Sequence, residues 1–373
     1  MRRRALAAAL VCCALGWGWQ WLTVHYNYSG NWTALFCHGS QYPLPAALAG
    51  EHIYVFANSG GYDGQSYHYM AHDPLGRGEI GRAVPDPALR FPRILVPAMA
   101  YLLALGRAEW VDAAYSFCEL LFLGLGAYWL AGLLERRGIS AWFAIGYVAV
   151  PVVMVSLDRM LVDVAVTSLA LGFACYVERD GWELWMAMAA AALCRDTGMV
   201  LFAAYALRLA WQRRFARIAV LATSLIPAVA WTLWVRAAIP GAAALGVSHL
   251  YPFYGMAQAI LHPRHYSFPP VLVAAIVGLW WVQFAGIVLG IVLAFRGGIG
   301  LDAMANACFL WAAFAILLPP GVYDDPFAGA RVLGPMLLYL GLRGQWVPLL
   351  MVSPRVWLEL GAQAWGIVRG LMG

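Results

Sequence analysis

From Val271 to Phe295 the chain runs without a charged residue, and Gln283 is the one amide in the stretch. About 20 apolar residues suffice to cross a bilayer. Inside hydrocarbon every backbone N–H and C=O must be paired within its own helix or within a closed barrel. A barrel would show segments of about ten residues alternating in hydropathy, and the runs here are continuous, so the fold class is all-α and membrane-spanning. Other long runs begin at Ala5, Asp112 and Ile218. Composition agrees: 63% of residues are hydrophobic and 12% charged, against about 25% charged in soluble domains.

All 24 basic residues are arginine. Arg2–Arg4, Arg136–Arg137, Arg179, Arg213–Arg217, Arg296 and Arg343 fall between apolar runs on one side, which marks that side and the N-terminus as cytoplasmic. The net charge of +5 is therefore a topology signal and not a nucleic-acid footprint; the partners expected are membrane lipid and no nucleic acid. The segment 25–109 is the longest without a spanning helix and is expected outside the cytoplasm, as is a second loop, 237–270. Within the first loop, Tyr62 to Ala71 reads as a short amphipathic helix on the membrane surface, and Ile94 to Gly106 is too short to span. Ile139 to Ser156 and Val332 to Leu342 read as spans. Trp182–Leu193 and Met199–Trp211 read as a re-entrant pair with a buried tip, and the segment after 345 receives no assignment. No repeat divides the chain, so 1–373 is one domain. The seven cysteines lie mostly in apolar runs, without metal-like or disulfide spacing.

The chemistry concentrates at Gly60-Gly61-Tyr62-Asp63-Gly64-Gln65-Ser66-Tyr67-His68-Tyr69-Met70-Ala71-His72-Asp73-Pro74. Asp63 is the candidate general base; as an alternative, Asp63-Gly64 is a turn capping an interfacial helix. Tyr62, Gln65 and Tyr67 are placed to hydrogen-bond a substrate hydroxyl or to orient the carboxylate. His72-Asp73-Pro74 reads as a helix stop, so no metal set and no cofactor is expected, with a divalent-metal requirement left open. Arg90 and Arg93 share a face at i, i+3 and suit a lipid phosphate, or else snorkel at the interface. Arg195-Asp196 and Arg331 carry charge into apolar sequence, at a cost of about 2.5–3.5 kcal/mol each when unpaired. Asp158 and Arg159 stand at an outer turn as acceptor-side groups, with Arg159 and Asp163 spaced to pair. Asp324-Asp325 is weak as a metal signal.

Asp-Gly-x-x-Tyr in a long outer loop, Phe-Pro-x-x-x-x-Pro before an apolar helix, an outer-turn Asp, Ala-Leu-x-Arg-x-Thr-Gly and a late Arg-x-x-x-Pro occur here in that order. The order resembles the polytopic GT-C glycosyltransferases, especially relatives of the GPI-assembly mannosyltransferase, and bacterial cell-surface glycopolymer proteins with Tyr-Asp-Gly-Gln. The resemblance implies a bundle of about 10–11 transmembrane helices and a bacterial inner-membrane protein. It also implies a polyprenyl-phosphate-linked sugar donor, a glycan, lipid or protein acceptor, and inversion. It maps the catalytic Asp onto Asp63, and the family's arginines onto Arg195 and Arg331. The family's aromatic, serine-rich outer turn is missing around Asp158. A glycolipid flippase, or a catalytically inactive assembly subunit, is the competing reading.

Overall fold

The uncharged run is one helix, Pro270–Gly297. Pro270 stands in its first turn, where a missing N–H breaks no intrahelical bond. Val271, Val277, Trp281, Val288 and Val292 are exposed, an apolar face of the kind a helix turns to lipid. In the computed structural model, which describes residues 2–243 and 251–372, four helices are long and apolar enough to cross a membrane. They are Arg2–Asn27, Ala108–Glu135, Phe215–Ala238 and Pro270–Gly297. Ala141–Ala149 and Pro151–Arg159, bent by 54°, make a fifth if counted as one span. The protein is an all-α membrane protein. Among the described residues the only sheet is a pairing of His38–Gly39 with Val55–Phe56.

The full-length spans are fewer than the sequence reading expects, because several runs are broken by proline or by a buried charge. Ile139 to Ser156 is not a single helix: Val150, before Pro151, is extended at φ −65°, ψ 130°, since proline disfavours helix at the preceding residue. Val332 to Leu342 is likewise split between Ala328–Val332 and Gly334–Leu342. Asp163–Tyr176, Trp182–Cys194 and Ala303–Ala315 are shorter apolar helices. The break between Trp182–Cys194 and Met199–Trp211 holds Arg195, Thr197 and Gly198, all buried. The second external loop falls partly on 244–250, outside the described residues.

The unassigned tail forms one helix, Val347–Met372, with Pro354 inside it. It packs beside Arg2–Asn27, where Asn27 Nδ2 donates to Gln363 Oε1 at 2.7 Å across 336 positions. Arg355, fully buried, donates to Gln283 Oε1 (2.7 Å), to Tyr266 Oη (3.0 Å) and to the Asp324 carbonyl (2.7 Å). The one amide of the long apolar run is thus spent on holding the tail helix.

The motif helix is Asp63–His72. Contrary to the expectation of a surface helix, every residue from Gly64 to Ala71 is buried, because the first loop folds over it and Leu95–Leu103 and Ala108–Glu135 pack against it. Its entry is set by backbone contact. Gly61 has φ +72°, and a Cβ on Gly64 would stand 2.3 Å from the Arg159 carbonyl oxygen and 2.9 Å from that of Phe36. Both neighbours are main chain and cannot swing away. Gly64→Ala is therefore expected to destabilise by at least the 1–3 kcal/mol (about) typical of overpacking, read as a drop in the detergent-solubilised melting temperature; Gly18→Ala, where no atom lies within 4 Å, serves as the control.

Candidate functional site

Asp63, Arg90, Arg93, Arg195 and Arg331 come from four separate segments and line one cavity of about 530 Å³. Asp63 opens the motif helix, where the N-terminal N–H groups favour negative charge. Arg90 ends the short helix Pro87–Arg90, Arg195 lies in the break after Cys194, and Arg331 is on Ala328–Val332. Asp63 Oδ1 is 2.7 Å from Arg90 Nη2, and Asp63 Oδ2 accepts from Arg331 Nη2 at 2.8 Å. Arg331 Nε in turn donates to Asp163 Oδ2 at 2.9 Å, and Arg195 pairs with the other oxygen of Asp163. Arg93 meets Asp196 at 3.3 Å and donates to Tyr67 Oη at 3.3 Å. Charges of opposite sign alternate along this chain. The lining also includes apolar side chains: Leu89, Phe314, Leu317, Leu318, Val322 and Val332.

Asp63 is held well below the usual carboxylate range. Burial alone would raise it, but the guanidinium groups of Arg331, Arg90 and Arg93 outweigh that effect. In the ligand-free protein it is a weak base. Three guanidinium N–H groups, Nε of Arg90, Arg93 and Arg195, are buried with no hydrogen-bond acceptor, a costly condition that an anion with several oxygens would relieve.

Tyr62 lines the cavity, with its ring between Arg159 (5.1 Å) and Arg331 (5.0 Å) and its hydroxyl donating to Asp325 at 3.3 Å. Gln65 and Tyr67 are not among the lining residues. Gln65 donates to the Gly60 carbonyl (3.0 Å) and accepts from Gly39 N (3.3 Å), so it fixes the glycine turn; Tyr67 backs Arg93. Asp158 and Arg159 also lie outside the cavity. Asp158 accepts from Trp19 Nε1 at 3.1 Å, and Arg159 reaches another cleft, beside Tyr28 and Gln363. The expected Arg159–Asp163 pair does not form, because Asp163 is claimed by Arg195 and Arg331. Asp73 binds Leu75 N and Arg77 N and stops the motif helix, as its sequence suggests. Asp325 caps the following turn through Phe327 N and Ala328 N.

The sequence reading passes over the central role of Asp163. Its signal is indirect: two arginines in apolar sequence need a buried carboxylate, and Asp163 opens a helix buried from Asp163 to Cys175. Asp196 joins it by holding Arg93.

No protein-family model matches this chain, and no characterised protein or solved structure matches it either.

Removing one partner of a buried pair costs about 3–5 kcal/mol. Asp163→Asn, which strands two guanidinium groups, should lower thermal stability in detergent by that order. For Asp63 the sign follows from its depressed folded-state pKa. Its contribution is complete above the unfolded value of about 3.9 and is lost as pH falls through the lower folded value. The stability gap between wild type and Asp63→Asn should thus stay level above about pH 5 and shrink only in stronger acid, as measured by thermal unfolding across a pH series.

Proposed function

We propose that the protein is a GT-C-type membrane glycosyltransferase that moves a sugar from a polyprenyl-phosphate donor to an acceptor hydroxyl on the extracytoplasmic face of a bacterial inner membrane. One observation carries this reading: Asp63 and four arginines, with Asp196 and Asp325, line one cavity together with a group of apolar side chains. An amphipathic donor needs these features, with cations for its phosphate, an apolar surface for the start of its tail, and a base beside both. The acceptor, a glycan, lipid or protein, contributes the hydroxyl.

In this mechanism Asp63 takes the acceptor proton as the acceptor oxygen bonds to the anomeric carbon. The carbon–oxygen bond to phosphate breaks on the opposite face, with inversion, and the arginines stabilise the departing polyprenyl phosphate. The low basicity of Asp63 in the ligand-free protein fits this scheme. Phosphate competes for Arg90 and Arg331, and each guanidinium it draws away raises the proton affinity of Asp63. The base is therefore weak until the donor is bound.

The ion pairs that occupy Asp63 also favour a second reading, a glycolipid flippase or inactive assembly subunit in which the same groups bind phosphate without chemistry. Reconstitution in liposomes with labelled polyprenyl-phosphate sugars separates the two. Asp63→Asn is expected to lower transfer by about 100-fold or more while donor binding persists, and Arg331→Gln is expected to weaken donor binding. Transfer at the wild-type rate by Asp63→Asn would remove Asp63 as the base. Donor crossing the bilayer with no transfer in the wild type would establish the second reading.

A further inference from the structure

The opposite end of the motif helix carries a second constellation, which sugar transfer does not use. His68 is fully buried and His72 nearly so. Three groups converge on Nε2 of His68: Asp112 Oδ1 at 2.9 Å, His72 Nε2 at 3.2 Å and Glu51 Oε2 at 3.9 Å. A ring nitrogen bears at most one proton and directs it at one acceptor, so a proton cannot satisfy all three. Glu51 Oε1 is 3.3 Å from His72 Nδ1, yet it is buried without a hydrogen-bond partner. Two carboxylates thus crowd two imidazoles at the edge of a buried site.

The geometry points to a divalent transition-metal site, of the zinc class, formed by Glu51, His68, His72 and Asp112. Imidazole and carboxylate donors together suit Zn²⁺. With metal–nitrogen bonds of 2.0–2.1 Å, tetrahedral ligand atoms stand about 3.3 Å apart, close to the separations already present around His68. Beyond the ligands, His68 Nδ1 lies 3.0 Å from Nε2 of His38. Donation from Nδ1 to His38 would fix the tautomer that leaves Nε2 facing the metal, the outer contact usual for metal-bound histidine. Glu51 and Asp112 also line an open cleft with Trp32, Tyr54 and Glu109, which gives an ion a path from solvent.

The ligands come from three places: the first loop (Glu51), the motif helix (His68, His72) and a spanning helix (Asp112). A bound ion ties all three together. Its role is structural, holding the C-terminal half of the helix whose first residue is Asp63. The site stands whether or not the chain transfers sugar.

The test uses the full-length protein in detergent, stripped with chelator, reloaded with Zn²⁺ and washed, with metal content measured by mass spectrometry and stability by thermal unfolding. About one zinc per chain, a melting temperature raised by zinc, and at least tenfold weaker zinc binding in both Glu51→Gln and His72→Ala are the expected results. Asp112→Asn and Glu51→Gln keep side-chain volume, so they give a reading even if His72→Ala does not fold. Co²⁺ in place of zinc should give the visible absorption of a low-coordinate site, and Glu51→Gln should alter it. Wild type that retains no zinc after reloading, with an unchanged melting temperature, overturns the proposal. So does zinc that Glu51→Gln and Asp112→Asn bind as tightly as wild type.

Discussion

The cavity depends on Asp163 more than on any other residue. It is buried at the start of its helix, and its two oxygens hold two arginines that arrive from residues 195 and 331. Arg195 otherwise reaches Asp196 at 4.0 Å and Arg331 also pairs with Asp63, and an unpaired charge in an apolar interior is expensive. The requirement for a counter-charge therefore draws three separate parts of the chain to one point. Once Arg331 is fixed there, its Nη2 also reaches Asp63, and the motif helix is tied to the late helices through one guanidinium. A buried ion pair adds little net stability, but it fixes which segments meet.

The membrane character was legible from long uncharged runs, and so were the motif helix and the shortness of the apolar helix within 94–106, because each rests on local patterning. Arg90, Arg93, Arg195 and Arg331 were legible as a group because charge in apolar sequence is costly wherever it occurs. The breaks at Pro151 and at Leu333–Gly334 were harder to read. Hydropathy is blind to the backbone, and apolar residues on either side of a break look continuous. Gln65 looked like a ligand because it is polar and beside Asp63, yet only the folded backbone reveals the Gly60 carbonyl and Gly39 amide it serves. Asp158 and Arg159 were misjudged for a related reason. Asp158 and Arg159 end the helix Pro151–Arg159, and the chain turns at Met160 before Asp163 opens the next helix, so closeness in sequence to Asp163 did not carry them into its cavity.

The motif helix has a different environment at each end. Its first residue sits among guanidinium groups, and its last two turns lie among imidazoles and carboxylates. Ten residues with no room at Gly64 and almost no exposed surface form a short rigid rod between two charged clusters. A displacement at one end cannot be absorbed by bending, because close-packed interiors shift as units.

The pairing of Asn27 with Gln363 bears on how the molecule is assembled. Arg2–Asn27 is made before Val347–Met372, yet they lie side by side. Until the later helix emerges, the flank of the earlier one has no neighbour from its own chain, and lipid or a helper protein must cover it. Arg355 adds a second late event, since the Gln283 amide inside the bilayer gains its buried cation only then. The later helix thus closes contacts that the earlier one leaves open, and nascent chains arrested before residue 347 would expose the same unmated surface.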